Sequence, residues 1–218
     1  MSVFRLRYVC TANLCRSPLA ERITALRMPP AAGSPWLAVT SAGIHGQDGM
    51  PMHPEAARLL SSIGGDPEGF SSRRLTAAMV AGDDLVLTAD LAHRDAVIAL
   101  CPAASRRTFL IGEFTRLLQY PPVLAARCAP RAVADPPTSA TGPAAMAREL
   151  VEAAARYRGR VPWHEPTLDE IADPDGTQIT ITACAGEIDR RVTQIAAVLA
   201  GQTSMSVTFP TQGKDPRT

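Results

Sequence analysis

Four short apolar runs, at residues 3–9, 36–40, 85–88 and 108–111, are separated by stretches of helical period. That alternation constrains the fold more than any other feature of the chain. Strands joined through helices lie parallel, and a parallel sheet needs cover on both faces. The helical stretches fall at residues 17–28, 54–63, 75–81, 91–100, 113–118, 144–158 and 181–199. Several carry boundary signals. Ser17-Pro18 reads as an N-cap with proline at the first helical position, Gly64-Gly65 stops the second stretch, and Pro102 follows the fourth. Residues 121–143 are rich in proline, alanine and small polar residues and show no period, so they read as a loop-like insertion. An acidic, proline-bearing loop at 162–176 precedes the last helix, and the polar stretch from 201 reads as a disordered tail. The expectation is one α/β domain over residues 1–200, with a four-stranded parallel sheet and helices on both faces. In such folds ligands bind beyond the carboxyl ends of the strands.

Composition narrows the function classes. The 218 residues carry a net charge of +1, which argues against a nucleic-acid partner recruited by bulk charge. No apolar run approaches the roughly 20 residues of a membrane span, and the amino-terminal apolar stretch is too brief for a signal-peptide core. A cytoplasmic location away from membranes is therefore expected. Five cysteines (Cys10, Cys15, Cys101, Cys128 and Cys184) form no C-x-x-C pair and fit neither a secreted disulfide scaffold nor a zinc site. One of them is free to work as a thiolate.

Chemistry concentrates in Cys10-Thr11-Ala12-Asn13-Leu14-Cys15-Arg16-Ser17, between the first strand and the first helix. A loop entering a helix aims unpaired backbone N–H groups at one spot, and the helix dipole adds partial positive charge. Arg16 supplies a planar fork that matches two phosphate oxygens. A cysteine opening that loop would feel these charges and ionise more readily, becoming a nucleophile. The same Cys-x5-Arg spacing recurs at Cys101–Arg107 and Cys184–Arg190. The former follows a helix and precedes a strand; the latter lies within a helix beside Glu187 and Asp189. Only Cys10 has the strand–loop–helix setting.

Residues 9–21 read V-C-T-A-N-L-C-R-S-P-L-A-E and resemble the V-C-x-x-N-x-C-R-S-P-x-A-E signature of the low-molecular-weight protein tyrosine phosphatases. Ser41-Ala42-Gly43, residues 49–64 and the strand Asp84-Leu85-Val86-Leu87 extend the resemblance, which covers most of 3–118 and resumes at the last loop and helix. It implies a flavodoxin-like three-layer fold, no metal or organic cofactor, and a phosphorylated protein or small aryl phosphate as substrate. It makes Cys10 the nucleophile that forms a phosphocysteine, and Arg16 the clamp on the phosphoryl oxygens. The backbone from Thr11 through Ala12, Asn13, Leu14 and Cys15 to Arg16 would complete the cradle. Asn13 suits a loop position at positive φ and could tie the loop to Ser41. Ser17 could donate to the Cys10 thiolate while capping the helix. Cys15 stands where the family has a second loop cysteine, able to form a reversible disulfide with Cys10.

One carboxylic acid should protonate the leaving group and then activate water. The family places it in an Asp-Pro pair before the last helix, and two pairs compete here: Asp173-Pro174 and Asp135-Pro136. The run Asp169-Glu170-Ile171-Ala172-Asp173-Pro174 resembles the family's loop and favours Asp173, with Asp169 and Glu170 close enough in sequence to hold it protonated by repulsion. The chain departs from the family in lacking aromatic residues after either Asp-Pro pair and in carrying Ile44-His45-Gly46 after Gly43. His45, or Trp163 and His164, could serve instead against a substrate ring. Three alternatives compete. An arsenate reductase would need two more cysteines after the third strand, where only Cys101 lies. A protein-arginine phosphatase would carry threonine at the position of Leu14. A non-catalytic phospho-ligand module remains compatible if the insertion covers the pocket.

Overall fold

The computed structural model describes residues 3–28, 36–128, 142–161 and 165–202. Its sheet has four parallel strands in the order β2-β1-β3-β4: β1 Phe4–Cys10, β2 Leu37–Gly43, β3 Leu85–Thr88 and β4 Thr108–Leu110. Alternation along β1 divides the two faces. Phe4, Leu6, Tyr8 and Cys10 enter one core cluster and Val9 the other, while on β3 Leu85 and Leu87 oppose Val86 in the same way.

The larger cluster is completed by α1 (Arg16–Arg27), α2 (Pro54–Ser62), α5 (Ile111–Leu118), α7 (Pro143–Tyr157) and α8 (Gln178–Ala200). The smaller one packs α3 (Ala77–Ala81) and α4 (Leu91–Leu100) on the opposite face. The expected three-layer, flavodoxin-like arrangement is therefore observed. Arg7 is the charged residue buried on the β1 backbone between them, where its guanidinium meets Asp83 at 2.6 and 3.1 Å. Because β2 and β3 lie on opposite sides of β1, the connections diverge at the carboxyl end of β1, opening a crevice there.

The structure revises three sequence expectations. Residues 121–128 are not loop but a helix, α6 (Pro121–Cys128), with Val123 fully buried; proline at a helix start fits the first turn, so it did not mark a loop here. Asp135, in the rest of that stretch, lies outside the described residues. The second strand runs on through Ser41-Ala42-Gly43 rather than stopping before it, pairing Gly43 with Cys10. The last helix begins at Gln178, three residues before the expected start, because the Thr177 hydroxyl accepts the Thr180 N–H at 3.4 Å and caps it.

Candidate active site

The segment 11–15 leaves β1 at the crevice and enters α1. Its carbonyls are taken from outside: His45 N–H donates to Thr11 O at 2.9 Å, His53 N–H to Leu14 O at 2.8 Å, and Leu19 N–H to Cys15 O at 3.1 Å. Asn13 turns the loop with φ +58°, the positive-φ non-glycine position among the described residues. Its buried side chain is fully used. The amide nitrogen donates to Ser17 Oγ at 2.9 Å and Ser41 Oγ at 2.8 Å, and the amide oxygen accepts Arg73 N–H at 2.8 Å. The expected tie to Ser41 is present, and Ser41 itself donates to Glu21 at 2.5 Å.

Gly43 makes room for this turn. A Cβ there would lie 2.6 Å from the Thr11 carbonyl oxygen and 2.7 Å from Asn13 N, so the loop can lie against the end of β2 only over a glycine. Arg73 O accepts Gly43 N–H and Gly43 O accepts Leu75 N–H, fixing the neighbouring segment alongside.

Cys10 and Arg16 are 3% and 2% exposed, held at the floor of the loop. Cys10 Sγ lies 2.9 Å from Ser17 Oγ. Ser17 was expected to cap the helix; instead α1 starts at Arg16 with Cys15 at the cap position and no side-chain cap bond. Ser17, already within the first turn, turns its hydroxyl to the sulfur. Thr11, Ala12, Leu14 and Cys15 are half-buried around the loop.

The Arg16 guanidinium is held from several sides. Nη1 donates to Asp90 Oδ2 at 3.2 Å and to Ile171 O at 3.3 Å, while Nη2 donates to Thr11 Oγ1 and meets Asp173 Oδ1, both at 2.9 Å. Asp90 and His93 were missed by the sequence reading. Asp90 caps α4 by accepting His93 N–H at 2.9 Å, a role legible from its place just after β3 at the crevice. His93 is buried with Nε2 2.9 Å from Thr11 Oγ1 and Nδ1 2.8 Å from Asp90 Oδ1. The imidazole thus lies between the Thr11 hydroxyl and the Asp90 carboxylate. Burial holds the His93 pKa below its ordinary value, partly opposed by Asp90 and reinforced by Arg16.

Asp173 arrives on the loop before α8. Ile171 N–H donates to Ala89 O at 2.7 Å, and Leu91 N–H donates to Glu170 at 3.2 Å. Asp169 pairs with Arg116 at 2.8 Å. Asp169 and Glu170, expected beside Asp173, each make a contact of their own, with Arg116 and with the Leu91 N–H. The Asp173 side chain is 69% exposed, at the mouth above Arg16. His45 is exposed and close enough to His93 to depress its pKa, whereas Trp163 and His164 lie outside the described residues. The two rival Cys-x5-Arg spacings lack a comparable setting: Cys101 ends α4, and Arg190 pairs with Glu187 within α8.

A buried cysteine and arginine thus share a strand–loop–helix turn of a doubly wound α/β sheet, with a carboxylate over the arginine. A family model described as low molecular weight phosphotyrosine protein phosphatase matches residues 5–123. The low molecular weight protein-tyrosine-phosphatase Etp of Escherichia coli K12 is 35% identical over 113 residues, covering 52% of this chain and 72% of that protein. The corresponding Wzb of Salmonella typhi is 31% identical over 113 residues, with the same coverage of 52% and 72%. The chain belongs to the low molecular weight phosphotyrosine protein phosphatase family and is a hydrolase of the phosphatase type. Among solved structures, the YwlE arginine phosphatase from Geobacillus stearothermophilus superposes with a TM-score of 0.61 at 20% identity, covering 91% of this chain and 94% of that one. A low molecular weight protein tyrosine phosphatase from T. tengcongensis gives 0.57 at 21% identity, covering 88% and 97%. At these identities both bear on the fold alone.

Proposed function

We propose that the protein hydrolyses aryl phosphate monoesters, protein phosphotyrosine above all, through a phosphocysteine on Cys10. The observation that carries this reading is the convergence on one loop of the Cys10 sulfur, the Ser17 hydroxyl at 2.9 Å and the Arg16 guanidinium under Asp173. The backbone N–H groups of residues 11–16 and the guanidinium hold the phosphoryl oxygens, which take the place of Asp173 at Nη2. The Cys10 thiolate attacks phosphorus; the P–S bond forms as the P–O bond to the aryl group breaks, and Asp173 gives its proton to the departing oxygen. Asp173, now a carboxylate, removes a proton from water as that water attacks phosphorus. The P–S bond breaks, inorganic phosphate leaves, and both groups return to their starting states.

The Ser17 hydroxyl stabilises the thiolate before attack and again as it departs. Asp90 and Ile171 hold the guanidinium in the plane it needs for bidentate contact. Leu14, a half-buried aliphatic residue in the loop, offers an apolar surface to an aromatic ring and no hydrogen bond to a phosphorylated guanidinium, which favours the aryl substrate. Purified protein should hydrolyse a chromogenic aryl phosphate and be inhibited by vanadate. Wild-type turnover no greater than that of Cys10→Ser would reject the reading.

A further inference from the structure

The segment that carries Asp173 has little apolar packing of its own. Among residues 165–175 the buried ones are Asp169 and Ile171, and Leu168 is 59% exposed. Pro166–Asp169 form a single 3-10 turn, and the last carbonyls of a helical turn have no partner within it. Arg191, well along α8, supplies the partner. Its Nη1 donates to Asp169 O at 3.1 Å and its Nη2 to Leu168 O at 2.8 Å. Glu187, one turn earlier on the same helix, accepts from Nε and aims the fork. The Arg191 side chain is 13% exposed, so water competes little for these bonds. Gly112, in the first turn of α5, completes the fit. A Cβ there would overlap the Arg191 guanidinium and lie 2.5 Å from Asp169 O and 2.6 Å from Asp169 Cα, so turn and fork cross α5 over bare backbone.

We propose that Arg191 is a positioning residue for the general acid: by holding the main chain at Leu168 and Asp169 across Gly112, it sets where the Asp173 carboxyl stands as the aryl oxygen departs. The proposal rests on the reading of Asp173 as that acid. Helix α8 holds the segment on both sides of Asp173, through Arg191 before it and through Thr177 and Thr180, which donate to Asp175, after it. Arg116 reaches the same turn at 2.8 Å, but through the Asp169 side chain, which leaves the main chain free to turn; Arg191 grips the carbonyls themselves. Proton transfer needs the carboxyl within hydrogen-bond reach of the leaving oxygen, and a shift of about 1 Å can cost roughly 10²-fold in rate. The phosphate loop does not touch Arg191, so the effect falls on the step that needs the proton.

The full chain is compared with Arg191→Met, Arg191→Lys, Asp173→Asn and the Asp173→Asn/Arg191→Met double variant. Arg191→Met keeps the apolar stem and leaves Glu187 paired with Arg190. Two substrates are used: phenyl phosphate, with a poor leaving group, and 2,4-dinitrophenyl phosphate, with an activated one. The quantity read is kcat/KM, which ends at expulsion of the aryl group, and its ratio between substrates cancels any difference in folded fraction. Arg191→Met should lower kcat/KM for phenyl phosphate by about 10- to 100-fold and hardly change it for the dinitrophenyl ester. Arg191→Lys, which keeps a donor but not the fork, should fall between Arg191→Met and wild type. On the Asp173→Asn background Arg191→Met should cause no further loss. An unchanged kcat/KM, an equal loss with both substrates, as a merely structural role would give, or a further loss on that background would overturn the proposal. A selective loss in Asp173→Asn without one in Arg191→Met rejects the positioning role alone; no selective loss in Asp173→Asn rejects the acid assignment and the positioning role together.

Discussion

Asn13 shows how much one residue of the loop has to do. It takes the positive φ, and its amide satisfies two serines and a backbone N–H from three different segments. Its suitability for that turn was legible from residue type, and its tie to Ser41 from the family resemblance. The room the loop needs comes from Gly43, and no local pattern marked that steric demand. Gly43→Ala should force the loop off its seat, costing about 1–3 kcal/mol as in other overpacked sites. Urea denaturation should show the loss, with a parallel fall in aryl phosphate turnover. His93 makes a pH prediction. Buried against Thr11 and faced by Asp90, Arg16, Asp173 and His45, it has a pKa below its ordinary 6.5 in the folded state. At acidic pH the unfolded chain therefore binds the proton that the folded chain resists. Stability from this group is full above about pH 6.5 and declines as pH falls through the lower folded value. His93→Gln, which can still hydrogen-bond to Thr11 but does not titrate, should flatten that part of a melting-temperature profile measured between pH 5 and 8.

At the scale of elements, the loop before α8 brings Asp173, the proposed general acid, to a site built mostly by β1 and α1. Its anchors are at residues 169–171, where Asp169 pairs with Arg116, Glu170 accepts from α4 and Ile171 is tied to Ala89, so Asp173 is delivered two residues beyond a fixed point. Beyond it, Asp175 accepts from Thr177 N–H and Thr180 Oγ1 at the start of α8, and these bonds hold its carboxyl below the usual range. Asp173→Asn should lower turnover by about 10²–10⁴ for a poor leaving group and much less for an activated one, with Asp135→Asn near wild type. Loss confined to Asp135→Asn would reverse the assignment. Asp173 was favoured because its Asp-Pro pair, directly before the last helix, resembles the family's loop. The anchoring was not legible, since Arg116, Ala89 and Leu91 come from elements remote in the chain. The start of α1 was misplaced because Ser17 has the chemistry of an N-cap but turns its hydroxyl to Cys10.

Over the whole molecule, the parallel sheet separates stability from chemistry. The loop, Asp90 and Asp173 gather at the carboxyl ends of the strands. Arg148 of α7 instead reaches Val3 O at 2.7 Å and Asp84 at 2.8 Å, at the amino ends. The helix α7 buries Ala147, Leu150, Val151 and Ala154 in the main core. Leu150→Ala should therefore cost about 2–5 kcal/mol while leaving turnover per folded molecule near wild type, a pairing that denaturation and kinetics would read together. The four strands were legible because each is a short apolar run bounded by turn residues. The α6 helix was not, because proline at a helix start and proline in a loop look alike in a stretch without period. Central to the whole account is a covalent bond between phosphorus and the Cys10 sulfur. Rapid acid quenching of the protein during turnover of an aryl phosphate, followed by mass analysis of the peptide of residues 8–16, tests it most directly. One added phosphoryl group localised to Cys10, and absent in Cys10→Ser, is expected; a phosphoryl group on another residue, or none at any time during turnover, would rule out the phosphocysteine.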